Sequence, residues 1–186
     1  MSIKPILRMG HPVLARIADP VQNPASPAIA ALVEDMKDSL AAVGGTGLAA
    51  PQIGVPLRVV IFAVPPHRTT GAPDDEPQDL IELINPEIEP LGPEIALGWE
   101  GCLSIPGMRG EVPRPARIRY RGLRLDGTMV EREVGGFHAR VVQHECDHLD
   151  GMLYPMRMTD MRSFGFTDEL IAAGTAAPFP QPAKVS

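Results

Sequence analysis

Proline and glycine punctuate this chain throughout: 21 prolines and 18 glycines are spread over 186 residues, beside only 4% aromatic residues. Proline removes a backbone donor and glycine carries an entropic cost, so neither suits the interior of a long helix. The expectation is many turns and short strands rather than a helical bundle. With 44% hydrophobic and 22% charged residues, the chain can still bury a sizeable core, and we expect a single domain over 1–186. Its 17 basic against 23 acidic residues give a net charge of −6, without the broad basic field that nonspecific nucleic-acid binding needs. Cys102 and Cys146 are too few for a disulfide scaffold, and both are read as reduced thiols. Met1 to Gly10 holds no apolar core of signal-peptide length, and no apolar run approaches about 18 residues, so a soluble cytoplasmic protein is expected.

Along the chain, Ile29, Leu32, Val33, Met36, Leu40 and Val43 follow a helical spacing, with Ser26 as cap, Pro27 in the first turn and Gly44-Gly45 as the stop. Leu57 to Val64 reads as a buried strand, and Pro65 to Pro77 as a mobile surface loop. Short strands are expected at Leu80 to Ile84, Ile88 to Leu91 and Glu94 to Leu97, followed by a Gly-Pro segment that includes Cys102. Asp126-Gly127 between Ala116 to Leu125 and Thr128 to Val134 is the strongest hairpin signal. A second helix runs from Phe137 to about Leu149, a short one is expected over Thr167 to Ala173, and the tail beyond Phe179 is proline-rich and expected to fray. This order gives an α+β fold, with antiparallel strands packed around a central metal-binding helix and a further helix near the N-terminus.

The chemistry is concentrated in His144-Glu145-Cys146-Asp147-His148. Residues four apart share a helix face, so both imidazoles reach one metal ion from successive turns, with Glu145 beside it as a general base. The same five residues would also suit an ordinary polar helix face. A catalytic metal usually takes a third protein ligand and keeps one open position, for which Cys102 in Trp99-Glu100-Gly101-Cys102-Leu103-Ser104 is the candidate. A thiolate admits ferrous iron as well as zinc. In Gly45-Thr46-Gly47-Leu48-Ala49-Ala50-Pro51-Gln52, small residues permit close approach to a ligand and Gln52 offers an uncharged donor for an oxyanion. This segment lacks the lysine and hydroxyl residue of a phosphate-binding loop.

Together the three segments resemble the peptide deformylases, in that family's order and approximate spacing. The resemblance extends to Ile6-Leu7-Arg8-Met9-Gly10, the strand Leu57 to Phe62, Asn85-Pro86 and Val112-Pro113-Arg114, thus roughly 5–155. It implies a catalytic domain that removes the N-formyl group from the initiator methionine of nascent polypeptides and releases formate. Cys102, His144 and His148 would hold one divalent metal ion, Fe2+ by expectation, with Zn2+, Ni2+ or Co2+ able to replace it. Glu145 would take a proton from the attacking water and return it to the departing amine. Gln52 and the Leu103 backbone N–H would stabilise the oxyanion. Leu48, Val141 and the stem of Arg140 would wall the methionine pocket, and Gly45, Gly47 and Gly101 would meet the extended peptide. Arg140, Trp99 and the run Cys146 to Gly151 look more like the branch shared with organellar enzymes.

The expected partners are N-formylmethionyl peptides, without DNA or membrane; a transient ribosome contact and a monomeric or homodimeric state stay open, as does the source organism, with bacterial cytoplasm the expectation. Arg117, Arg119 and Arg121 share one strand face that could touch ribosomal RNA, but compensation by Glu131 and Glu133 is the favoured reading. Cys146 should point away from the metal, and Asp147 could either orient a ligand or face solvent. A metallopeptidase is the competing enzyme, because it shares the His-Glu-x-x-His pattern. A non-catalytic binder of formylated peptides, or a structural metal domain, is the competing class.

Overall fold

The structure is a computed structural model that describes residues 2–180; of the proline-rich tail expected beyond Phe179, all but Pro180 lies outside these. Helix α1 (Pro27–Val43) begins where Ser26 accepts a hydrogen bond from the Ile29 N–H, and ends at Gly44, whose φ of 69° suits a residue without Cβ. Strands β1 (Gly47–Ala49), β2 (Val59–Val64), β3 (Gln78–Pro90), β6 (Arg117–Leu123) and β7 (Met129–Gly135) form one antiparallel sheet in the order β1-β2-β3-β6-β7. Strands β4 (Ile95–Cys102), β5 (Ile105–Pro115) and β8 (Gly165–Phe166) form a second, in the order β4-β5-β8. Helix α2 (Gly136–Leu149) follows β7, and the short α3 (Thr167–Ala172) follows β8.

The unbroken apolar run of β2 has a physical reason. Val60 and Phe62 face α2 in one cluster with Val142, Cys146 and Leu149, while Val59 and Ile61 face α1 in another with Val33, Met36 and Leu40. The larger sheet is therefore helix-covered on both faces, and β2 cannot afford a polar side. The Asp126-Gly127 hairpin forms as expected, with Asp126 accepting from the Thr128 N–H at 2.9 Å.

Three local expectations change. Leu80 to Ile84 and Ile88 to Leu91 belong to a single strand, β3, with an irregularity between Ile84 and Glu87. There Asn85, at φ 50°, turns its amide to the backbone of Val21, exchanging hydrogen bonds of 2.8 Å with both its N–H and its C=O. The Gly-Pro segment around Cys102 is largely strand: β4 and β5 pair from Ile95/Pro115 down to Cys102/Ile105 and are joined by a tight turn at Leu103 and Ser104. Its prolines are tolerated because β8 pairs only with Met108 and Arg109, so among the described residues the rest of the outer edge of β5 has no partner strand. The segment 65–77 is anchored, as its contacts with α2 show below.

Candidate active site and metal centre

Helix α2 starts at Gly135-Gly136, where no side chain of the local sequence caps it. Asp75 supplies the cap from the 65–77 segment: its carboxylate accepts from the N–H groups of Phe137 and His138, each at 3.0 Å. It also accepts from the Thr70 N–H and hydroxyl at 2.6 and 2.7 Å. Burial alone would raise the Asp75 pKa, but these donors outweigh it and hold the carboxyl below its ordinary value. The supposedly mobile loop is thus tied to the helix that carries the histidines, and a carboxylate sits where the helix dipole favours one.

Cys102, His144 and His148 bring one ligand atom each to within 4.8 Å of one another. The Cys102 Sγ lies 3.4 Å from His148 Nε2. His144 and His148 are edge to face, with ring centroids 5.0 Å apart, as their spacing of four on α2 requires. Burial pushes the Cys102 thiol up, yet the two imidazoles overcome it and draw its pKa well below the ordinary value. Burial would depress His144, but Cys102 and Glu100 raise it well above its usual range. A thiolate and two imidazoles converging in this way form a fitting donor set for one divalent ion, which would displace the proton they share.

Glu100 orients this set. On β4 it turns toward α2, where His144 Nδ1 donates to its Oε2 at 2.7 Å. Arg114 of β5 binds it through Nε at 2.5 Å and Nη2 at 2.9 Å, and Arg140 through Nη1 at 2.8 Å. Burial would raise its pKa, but Arg114 and His144 hold it far below the usual carboxylate range. As a carboxylate it can only accept, so the His144 proton stays on Nδ1 and Nε2 keeps its lone pair for a metal. Asp147 is not solvated. It pairs with the same Arg114 at 2.9 Å and with Arg157 at 2.6 Å. Sequence reasoning missed Glu100, although a glutamate two residues before the candidate cysteine lies on the same strand face.

Glu145 is 4% exposed, and its Oε2 has no hydrogen-bond partner among the described residues. Burial pushes its pKa up to about 7, against the pull of His144 and His148. A Cβ at Gly47 would overlap this carboxylate, so only glycine lets β1 pass so close. Gln52, in a single 3-10 turn (Ala50–Ile53), accepts from the Ala49 N–H at 2.9 Å, which directs its NH2 toward Ser104 Oγ at 3.1 Å and Cys102 Sγ at 3.5 Å.

A cavity of about 260 Å³ opens between β1 and β4, the edge strands of the two sheets. Gly45, Gly47, Gln52, Gly101, Cys102 and Leu103 line it on the strand side, and Arg140, Val141, His144 and Glu145 on the helix side. Leu48, expected in the pocket wall, is fully buried and packs in the α1 cluster instead. Strand alternation explains this, since Gly47 faces α2 and its neighbour must face the other way. Arg140 contributes its stem, while its guanidinium is held by Glu100 and by the carbonyls of Ala96 and Val112, at 2.8 and 2.9 Å. Trp99, Phe137, Arg68 and Phe179 also reach the cavity, and none of them was expected there on its own account. Cys146 turns into the core as expected, and burial drives its thiol pKa far up.

The arginine stripe is compensated by Glu133, by β3 and by Asp74 of the 65–77 segment, whereas Glu131, expected to share this role, makes no ion pair among the described residues. Arg119 binds Glu133 at 2.6 Å and Glu89 at 3.0 Å, Arg121 binds Glu87 at 2.5 Å, and Arg117 binds Asp74 at 2.5 Å. Among the described residues no helix is long and apolar enough to cross a membrane.

Comparison with known proteins places the chain in one family. The family model described as polypeptide deformylase matches residues 3–164. The chain is 54% identical over 175 residues to peptide deformylase 1 of Nitrosomonas europaea, covering 94% of this chain and 98% of that protein. Among solved structures, the Ehrlichia chaffeensis peptide deformylase in complex with actinonin is 30% identical with a TM-score of 0.80, covering 94% of this chain and 97% of that one. The Met-Ala-Ser-bound class I type b peptide deformylase of Acinetobacter baumannii is 38% identical with a TM-score of 0.76, covering 84% and 99%.

Proposed function

The chain belongs to the polypeptide deformylase family, and from that premise we propose that it hydrolyses the formyl amide of N-formylmethionyl peptides at the α2 cavity, releasing formate. The observation that carries this reading is the convergence of Cys102, His144 and His148 on one point, with the unpartnered carboxylate oxygen of Glu145 beside them in a cavity open to solvent. Cys102, His144 and His148 hold a single divalent ion in this proposal, and Fe2+ is our assignment, with Zn2+, Ni2+ or Co2+ able to take its place. When bound, such an ion supplies Lewis acidity, polarising the formyl carbonyl and making water a stronger acid.

The chain's own residues do the rest. Glu145, with a pKa raised to about 7, is poised to accept a proton from the water that adds to the formyl carbon. As the carbon–nitrogen bond breaks, it returns that proton to the methionine amine, and formate departs. The Gln52 amide and the Leu103 N–H donate to the formyl oxygen as it gains charge, and losing one such donor costs about 3 to 4 kcal/mol of barrier. The Ala49 bond to Gln52 Oε1 keeps that amide turned the right way. Glu100 acts through His144 as a positioning residue.

The peptide itself is proposed to lie extended between the two strand edges, meeting the backbone at Gly45, Gly47 and Gly101. Val141 and the Arg140 stem receive the methionine side chain. The compensated arginine stripe offers no surplus charge to ribosomal RNA, so any transient ribosome contact would use another surface. We place the activity in the bacterial cytoplasm, as the relatives come from bacteria.

The test is formate release from formyl-Met-Ala-Ser by protein purified without oxygen, with the tripeptide followed in parallel. Formate together with intact Met-Ala-Ser is the expected result. Cleavage of the Met-Ala bond would indicate a peptidase, and neither product from protein carrying one metal per chain would indicate a binding or structural site. Activity of the ferrous form that decays in air, while a nickel-substituted form persists, is expected from the Fe2+ assignment.

A further inference from the structure

Beyond α3 the chain turns back on itself. Thr175 and Ala176 donate to the Leu170 carbonyl at 3.0 and 3.1 Å, Ala176 is buried, and Arg109 Nη2 donates to the Ala177 carbonyl. This brings Phe179 over the mouth of the cavity, on the face of β4 that α2 does not cover. Trp99 and Gly101 share that face with Arg109, the residue opposite Gly101 on β5. A Cβ at Gly101 would touch the Phe179 ring at 3.7 Å.

Phe179 completes an alternating stack of rings and guanidinium groups. Arg109 lies 4.9 Å from the Trp99 ring centroid and 4.6 Å from that of Phe179; Arg68 lies 5.0 Å from Phe179 and 4.3 Å from Phe137. The stack spans the cleft from the smaller sheet to the start of α2. Its two cations are uncompensated: among the described residues neither Arg68 nor Arg109 has a carboxylate within ion-pair distance. Arg109 is 1% exposed, and its Nε and Nη1 have no hydrogen-bond partner among the described residues. Arg68, half-buried in the cavity wall, presents its cation to the cleft directly, and the buried Arg109 behind the Phe179 ring adds positive potential there, a setting that favours a carboxylate. The family model ends at residue 164, so this strap lies outside the part that it describes.

An extended peptide alternates its side chains. If the methionine descends toward Val141 and α2, the next side chain points to the opposite face, where Phe179 sits. We propose, resting on the deformylase reading, that the strap 175–180 walls the cleft and that Phe179, held between Arg68 and Arg109, selects the residue after methionine, favouring an acidic side chain over a basic one.

The experiment compares formyl-Met-Glu-Ser, formyl-Met-Lys-Ser and formyl-Met-Ala-Ser on three metal-loaded proteins: the full chain, Arg68→Ala, and a variant ending at Gly174. The full chain should show a KM about tenfold lower for the glutamate peptide than for the lysine peptide, the combined size of one favourable and one like-charge contact at a partly exposed site. Raised salt should shrink this ratio. Arg68→Ala should bring it to within about twofold, and the variant ending at Gly174, whose arginines lose the ring that holds them over the cleft and turn into screening water, should lower it too, with kcat for the two peptides moving together. A full-chain ratio near one, or a ratio unchanged in both variants, overturns the proposal. Formate from formyl-Met-Ala-Ser in those same assays keeps that failure distinct from failure of the deformylase reading; its absence overturns both.

Discussion

Replacing Asp75 with alanine tests whether a residue some sixty positions away holds the start of the metal-binding helix. The substitution removes four hydrogen bonds, two from Thr70 and two from the N–H groups of Phe137 and His138. Loss of a helix cap costs about 1 kcal/mol. His138 is fully buried, so its N–H also loses the Asp75 acceptor without gaining water, which adds about 1 to 3 kcal/mol. The sum is about 3 kcal/mol, or a fall in Tm of about 6 to 12 °C for a chain of this length. Asparagine should rescue in part, because its carbonyl oxygen in the place of Oδ2 keeps the bonds from Thr70 and Phe137, while its NH2 then faces the His138 N–H. The assay is thermal unfolding by circular dichroism of wild type, Asp75→Ala and Asp75→Asn, repeated down the acid range. Because the folded pKa of Asp75 lies below its unfolded value, its contribution is complete above about pH 4 and fades as pH falls through the folded pKa. The gap between wild type and Asp75→Ala should therefore narrow in acid. A gap under about 1 °C at neutral pH, or one that widens in acid, would refute the capping argument.

Glu145→Gln should keep its metal and lose turnover by about 10² to 10⁴; activity within a few-fold of wild type would end the general-base role. Cys102→Ala should leave the purified protein short of metal by elemental analysis, and a full complement would remove the thiol from the donor set. Glu100→Gln keeps the shape of the side chain but loosens its hold on the His144 proton, and metal affinity measured by chelator competition should fall by about 10 to 100-fold. Gly47→Ala drives a methyl group into the Glu145 carboxylate, so turnover should drop while metal content stays level; an unchanged kcat would mean that β1 can move aside.

Elements whose causes are local were legible in the chain. Ser26, Pro27 and Gly44 lie within α1 or next to it, and their spacing alone marks its ends. Asp126-Gly127 likewise announces the hairpin between β6 and β7. The strands around Cys102 were not legible, because prolines 106, 113 and 115 argue against a strand unless one knows which edge lacks a neighbour. The same holds for 65–77, whose polar composition reads as a free loop until Asp75 is found on α2.

At the site, His144 and His148 are joined by helical periodicity, so their convergence and the adjacency of Glu145 are properties of the sequence itself. Cys102 could be nominated only through its motif and the family resemblance, since forty-two positions and the three strands β5, β6 and β7 separate it from His144. Its approach to the histidines is decided by the pairing of β4 with β5 and the packing of that sheet on α2. Glu100, Arg114 and Asp147 form a buried charge network for the same tertiary reason: each carboxylate and guanidinium could only be buried once its partners from other elements arrived. Leu48 makes the point in reverse. The family resemblance suggested the pocket, but the close approach of Gly47 to Glu145 fixes which face of β1 meets the site and sends Leu48 to the other side. Periodicity and capping act over a few residues and are therefore written in the chain; facing, burial and charge pairing depend on what packs opposite, which only the folded arrangement decides.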